Sequence, residues 1–246
     1  MQNVQYFVIN SADRVAGSAS STDFKVRVNP CISHVNKVEL LELTVPNSIY
    51  NVKSTNNVIY FKEPLSGGND TATITPGAYT TTTITAAIAA AMNASTNNAY
   101  TYSVAFDSTT YKLTITSTGA FQLQFATFTT NSAGSLLGFT TDTTAGLSQV
   151  ANQAIALFNP RNYYIDFKDF NSNVRSTNSV EYGTFIINST VNSGGIESWS
   201  LLSRYPQSIS LSNQTINTLS IAIKDVNNTV VDLNGLDWSI VVGISY

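Results

Sequence analysis

Residues 81–94 read Thr81-Thr82-Thr83-Ile84-Thr85-Ala86-Ala87-Ile88-Ala89-Ala90-Ala91-Met92-Asn93-Ala94, and they decide how the rest of the chain is parsed. Ile84, Ile88 and Met92 recur at helical spacing on an Ala-rich background, so one face of an α-helix carries all three. One of the preceding threonines can cap it. On either side the apolar residues alternate in steps of two, the period of a β-strand. The helix therefore interrupts a run of strands.

Moving outward from the helix, Pro76-Gly77 marks a turn, and Leu65 to Asn69 holds Ser66-Gly67-Gly68, a linker-like break. Downstream come three alternating segments. Tyr100, Tyr102, Val104 and Phe106 form one face, Tyr111, Leu113 and Ile115 a second, and Phe121, Leu123 and Phe125 a third. Asp107-Ser108-Thr109-Thr110 and Thr118-Gly119 are the expected hairpin turns between them. Leu136 to Phe139 closes the set. One helix covers the apolar face of a small sheet, which gives an α+β module. It is too long for an ordinary loop, so it reads as an inserted domain over residues 65–142.

The flanks read as strands of a different style. Val4 to Ile9 is the first. Ser11 to Thr22 is small and polar and reads as a loop or arm. Phe24, Val26 and Val28 alternate with Lys25 and Arg27. In Val38 to Val45 the apolar phase slips at Leu40-Leu41, which predicts a bulge or bend there. Val58 to Phe61 is apolar on both faces and closes at Glu63-Pro64. Val150 to Leu157 is weakly helical or irregular, stopped by Pro160. Strands return at Tyr163 to Phe167, Val180 to Ile187, Ile209 to Leu211, Leu219 to Ile223 and Trp238 to Ile244. Eight or nine strands separated by turn signals predict a mainly β fold. The pattern fits a double-sheet sandwich or jelly roll, discontinuous over 1–64 and 143–246, with the small α+β domain inserted in one loop.

Composition narrows the function. Charged residues make up 11% of the 246, against the usual quarter or so, and Ser, Thr and Asn take the polar positions. Such side chains suit subunit contacts, where charge is costly to desolvate. The net charge is −3 and the 12 Lys and Arg are scattered, which argues against direct nucleic-acid binding. No apolar run approaches the roughly 18 residues of a membrane span. Met1-Gln2-Asn3 does not open a signal peptide, so the expectation is a protein that is made inside the cell and not secreted. The Asn-x-Ser/Thr triplets at Asn69, Asn93, Asn188, Asn213 and Asn227 are then expected to carry no glycan.

Catalytic signatures are thin. His34 is the single imidazole and has no Gly-x-Ser-x-Gly context, so it reads as a solvated loop residue. Cys31 lies three residues away, and two such ligands do not make a zinc site; a half-buried structural cysteine is expected. Asp232-Leu233-Asn234-Gly235-Leu236-Asp237 resembles part of a calcium loop but lacks the closing Glu, and Asn-Gly is a strong turn signal. Glu39 and Glu42 read as surface charges. No catalytic residue, cofactor or metal site is assigned. Tyr163, Tyr164, Tyr100, Tyr102 and Trp199 could form a sugar platform, with cross-strand core pairs the favoured reading. Trp199 follows Gly194-Gly195 in an expected loop and is the candidate interface anchor.

Several stretches resemble known capsid proteins. Asn10-Ser11-Ala12-Asp13-Arg14, then Ser20-Ser21-Thr22-Asp23-Phe24 opening a strand, looks like the start of many viral minor capsid proteins. The stretch from Val38 to Val52, with Pro46-Asn47-Ser48-Ile49-Tyr50, resembles the strand that follows in them. Pro76-Gly77-Ala78-Tyr79-Thr80-Thr81, running through the Ala helix to Leu137-Gly138-Phe139, is similar to their inserted module. Ala222-Ile223-Lys224-Asp225 and its Asn-rich turn resemble their penultimate hairpin. The whole chain thus resembles the penton (vertex) proteins of virophages, polinton-like viruses and related large DNA viruses. That resemblance implies a non-enzymatic virion protein. It would be a single jelly-roll β-sandwich carrying the small α+β insertion domain, forming homopentamers at five-fold vertices, with the insertion projecting outward and the N-terminal arm meeting the major capsid protein. Asp13, Arg14, Asp23 and Trp199 are the interface candidates. The rival is a carbohydrate-binding or host-attachment module, a minor capsid or fibre protein whose inserted domain binds a host receptor or glycan. A jelly-roll enzyme has the least support.

Overall fold

A computed structural model describes residues 3–63, 68–96, 99–157, 162–171, 174–175, 177, 180–191, 194–200 and 206–246. In chain order the elements are β1 (Val4–Asn10), β2 (Asp23–Pro46), β3 (Val58–Lys62), β4 (Asn69–Thr73), α1 (Thr81–Asn93), β5 (Tyr102–Asp107), β6 (Lys112–Leu123), α2 (Gly134–Leu137) and β7 (Gly146–Val150). They continue with β8 (Asn162–Phe167), β9 (Val174–Arg175), β10 (Glu181–Gly183), β11 (Phe185–Asn188), β12 (Ile196–Ser200), β13 (Gln207–Lys224) and β14 (Ser239–Ser245). The expected break at Ser66-Gly67 and the stop at Pro160 fall outside the described residues.

The chain divides into two compact units, Met1–Ile49 with Pro160–Tyr246, and Tyr50–Asn159. The second unit is wider than the 65–142 expected from sequence. β3, read as a sandwich strand, pairs instead with β4 and β6. β7 pairs with β6, where no strand was expected before Val150. Both partners lie in the second unit, and pairing decides which sheet a strand joins.

The first unit is the jelly roll. Its sheet runs β1-β14-β2-β13-β8-β11 with β12 also on β2, antiparallel throughout. Two segments read as separate strands, Phe24 to Val28 and Val38 to Val45, are one strand, β2. Likewise Ile209–Leu211 and Leu219–Ile223 are both β13. The β2–β13 register shifts three times between Ser210 and Thr218, near His34 (φ 61°) and Asn213 (φ 53°). Such irregularities bend a strand and let it pass from one layer to the other. The two layers share one core. Phe24 in the first half of β2 meets Trp238, just before β14, edge to face at 5.7 Å.

The slip at Leu40-Leu41 is a bulge. Val242 pairs with Leu40 and Val241 with Glu42, so Leu41 has no partner across the strand. The extra residue lets Leu40 and Leu43 both face the core, at 0% and 1% exposure.

In the second unit α1 is capped as expected. Thr80 Oγ1 accepts from Thr83 N–H, and Thr83 Oγ1 accepts from Thr80 N–H, a reciprocal capping box. Ile84, Ile88 and Met92 are fully buried. They cover a five-stranded sheet ordered β4-β3-β6-β5, with β7 on β6. Asp107 accepts from Thr109 N–H and Thr110 Oγ1 and shapes the first hairpin. The second expected hairpin, at Thr118-Gly119, is absent. β6 runs straight through it, because Leu113, Ile115, Ser117, Phe121 and Leu123 share one parity and all face inward. At Gly119 a β-carbon would overlap the Tyr100 ring, so the glycine serves close packing and not a turn.

Candidate assembly surfaces

The Ser11–Thr22 segment is a fastened loop and not a free arm. Asn10 Oδ1 accepts from Ala12 N–H at 2.9 Å and starts a 3-10 turn over Ser11–Asp13. Ser11 is fully buried. Its Oγ donates to Asp237 Oδ1 at 2.7 Å and accepts from Trp238 N–H at 3.0 Å. Arg14 Nη1 donates to the Ser11 carbonyl at 2.8 Å and to Asp237 Oδ1 at 3.0 Å. Further along, Trp238 Nε1 donates to the Ser21 carbonyl at 2.7 Å. Polar residues order this loop because β14's entry supplies partners for them.

The four interface candidates do not converge. Arg14 is engaged with Asp237, Asp23 pairs with Lys168 at 2.5 Å, and Asp13 is exposed on the turn. Trp199 is a correction. It lies in β12 and not in a loop, opposite Leu43, and only 4% of it is exposed. Its ring fills the jelly-roll core, which removes it as an anchor.

Other sequence candidates resolve similarly. Tyr163, Tyr164 and Tyr102 are buried, so no aromatic platform forms from them. Burial raises the Tyr163 phenol's pKa, and burial with a hydrogen bond to Glu63 raises that of Tyr102. Tyr164 stacks on Tyr182 with ring centres 4.7 Å apart. His34 is exposed, though on β2 and not in a loop, and Cys31 is exposed where half-burial was expected. Ile32 takes the inward place between them. Asn234 (φ 53°) and Gly235 (φ 81°) form a left-handed two-residue turn, with Leu236 N–H donating to the Leu233 carbonyl. Glu39 pairs with Lys37 at 3.2 Å, while Glu42 is exposed.

The residues that the sequence reading passed over lie on β1. Val4, Tyr6 and Val8 point outward together, with Tyr6 67% and Val8 76% exposed. Register extends this face across three more strands. Val8, Val241, Glu42 and Ser200 form one row, and Asn10, Ser239, Thr44 and Ser198 the next. Gly243 sits between Tyr6 and Leu41, which a β-carbon there would meet at 3.7 and 3.5 Å. At one corner a recess of about 290 Å³ opens between Pro46, Ile196 and Leu236, with Ile196 62% exposed. The exposed apolar side chains are Val4, Tyr6 and Val8 in one projecting row and Ile196 and Leu236 at the corner, with a polar row between them, and the β1 row is the candidate interaction surface. The signal was in the sequence: β1 is apolar at Val4, Tyr6 and Val8 and also at Phe7 and Ile9, more than a strand with one wet face needs.

The outer face of the other layer differs. Asp23, Lys25 and Arg27 of β2 lie beside Asp166, Lys168, Ser220 and Lys224. Lys224 pairs with Asp166 at 2.6 Å and Lys168 with Asp23. Lys25 and Arg27 are exposed and take part in no ion pair among the described residues. Beside them a second recess of about 610 Å³ is lined by Val15, Ala16, Gly17, Phe24, Lys25 and Lys168.

Among the described residues no three His, Cys, Asp or Glu side chains cluster as a metal site, and no helix is long and apolar enough to cross a membrane.

No protein-family model matches the chain, and no curated protein matches it in sequence. The crystal structure of the mavirus penton protein is similar over 98% of this chain and 100% of that one, with a TM-score of 0.52 at 9% identity. At that identity the likeness concerns the fold, and the chain has a penton-like fold from end to end.

Proposed function

We propose that this chain is a structural protein of a viral capsid, the penton that closes the five-fold vertices as a homopentamer. The observation that carries this reading is the end-to-end fold likeness to a penton protein, covering both units and both chains almost completely. The projecting apolar row of Val4, Tyr6 and Val8 on β1 supports it, since a row of exposed large apolar side chains suits burial against another subunit. The low charge supports it as well, because Ser, Thr and Asn flanks are cheap to desolvate between subunits. In this reading the partners are other copies of the chain and the neighbouring major capsid protein, and the protein resides in the virion. The second unit, Tyr50–Asn159, projects outward from the shell. The role is architectural, with no catalysis.

The test is the mass of the purified protein by light scattering, with negative-stain images of the same fraction. Rings of five, heads on one side, are the expected result. A stable trimer would sink the penton assignment and favour a fibre-like attachment protein.

A further inference from the structure

We infer that the ring-closing contact packs the β1-β14-β2-β12 face of one copy against the β2-β13-β8 face of the next, with Tyr6 and Val8 entering the recess beside Lys25. This rests on the pentamer reading above and names the surfaces that make it.

The argument starts from the two outer faces of the same sandwich. The first layer offers Val4, Tyr6 and Val8 as a projecting apolar row. Its charges are Lys37 and Glu39, which pair with each other, and Glu42, which forms no ion pair among the described residues. The residual charge is therefore negative. The second layer offers a recess of about 610 Å³ bounded by the small loop residues Val15, Ala16, Gly17 and Ala19 and by Lys25 and Lys168. Its pairs Asp23–Lys168 and Asp166–Lys224 cancel, and Lys25 and Arg27 remain against one carboxylate, Asp169, which accepts from the Ser220 N–H and hydroxyl. The residual charge there is positive. Projection meets recess, and Glu42 meets Lys25 and Arg27. Complementary potentials of this kind set the register between subunits and suppress wrong pairings.

The occupant is a second copy because both halves of the match are on one chain. Opposite faces of one sandwich cannot meet across a two-fold axis. Their contact is head-to-tail, and such contacts propagate until the rotation closes a ring. The β11 edge is a poorer route, since it is already blocked at Ile186, whose backbone is engaged by the Gln207 side chain.

The experiment compares wild type, Tyr6→Lys/Val8→Lys, Glu42→Arg, Arg27→Glu and the swapped double Glu42→Arg/Arg27→Glu by sedimentation velocity at low and moderate salt. All changed side chains are exposed, and circular dichroism with thermal melting checks that each variant is folded. Wild type should sediment as a ring. The lysine pair should weaken association at least about 100-fold and leave monomer, as burying two unpaired charges demands. Each single charge reversal should weaken it roughly tenfold, and the double should recover most of that loss. Rings of unchanged affinity in the lysine pair would overturn this face while leaving the pentamer reading intact. Failure of the double to recover any affinity would overturn the Glu42–Arg27 match. A wild type that never associates would remove the pentamer reading itself, and this inference with it.

Discussion

The side-chain amide of Gln207 clasps the backbone of Ile186: Nε2 donates to the Ile186 carbonyl at 2.6 Å, and the Ile186 N–H donates to Oε1 at 2.8 Å. Ile186 sits on β11, the terminal strand of the jelly-roll sheet at that side. An amide thus replaces one residue of a missing strand, and an edge that would otherwise recruit another chain is blunted.

Gln207→Ala should therefore do two things. It removes two part-buried hydrogen bonds, a cost of about 1–3 kcal/mol. It also opens the β11 edge. Urea denaturation should show the lower midpoint, hydrogen exchange should show faster loss of the Ile186 amide, and light scattering should show more aggregation on warming. An unchanged Ile186 exchange rate would contradict the clasp.

The bulge makes an unusual prediction about deletion. Leu41 is the one residue of β2 that β14 skips, so removing it keeps the pairs Val242–Leu40, Val241–Glu42 and Ile240–Leu43. The shortened variant should fold cooperatively at reduced stability. Deleting Thr44 instead moves Val45 outward and drives Pro46 toward the core, and that variant should fail to fold. Parallel expression and thermal melting of the two deletions decides the matter.

Gly138 ends α2 in the left-handed region, at φ 84°. A β-carbon there would overlap the carbonyl oxygen of Gln153, whose own N–H donates to the Gly138 carbonyl at 2.9 Å. Gly138→Ala combines backbone strain with a clash against main chain that cannot rotate away. The expected loss is at least about 2 kcal/mol, read as the unfolding midpoint. Gly235→Ala carries a left-handed φ but meets nothing within 4 Å, and it should cost less.

Acid should weaken the second unit through Asp142. Partial burial pushes its pKa up, but the Thr127 hydroxyl and the N–H groups of Thr127 and Ala126 outweigh that and hold it below the usual carboxylate value. Because the folded value is the depressed one, the stabilisation is complete above the unfolded pKa of about 4 and is lost as pH falls through the folded value. Asp107 is lowered in the same sense by Thr110 and Thr109. A melting series from about pH 5 to pH 2 should show the midpoint falling, with a shallower fall in Asp142→Asn. An equal slope in the variant would remove Asp142 from the account.

Much of the local structure could be read from the sequence alone, because its cause is local. The four-residue spacing of Ile84, Ile88 and Met92 dictates a helix, and Thr80 with Thr83 caps it. The parity change at Leu40-Leu41 dictates a bulge, since only an extra residue keeps Leu40 and Leu43 both on the core side. The Asn234-Gly235 turn follows from the backbone freedom of those two residues. The fold class was legible through the resemblance of several stretches to penton proteins and not through local physics. Other features depend on partners distant in sequence. Whether Val58 to Lys62 belongs to the jelly roll or to the second unit depends on β4 and β6, and nothing in its own five residues encodes that choice. Asn69 to Thr73 and Gly146 to Val150 carry too few apolar residues to announce themselves as strands, and they become strands because β3 and β6 offer open ladders. Trp199 is in the core because β12 pairs with β2 and turns that ring inward. Periodicity therefore determined which side chains share a face, while tertiary pairing decided which faces were buried. That is why the outward row of Val4, Tyr6 and Val8 emerged only with the sheet assembled around it.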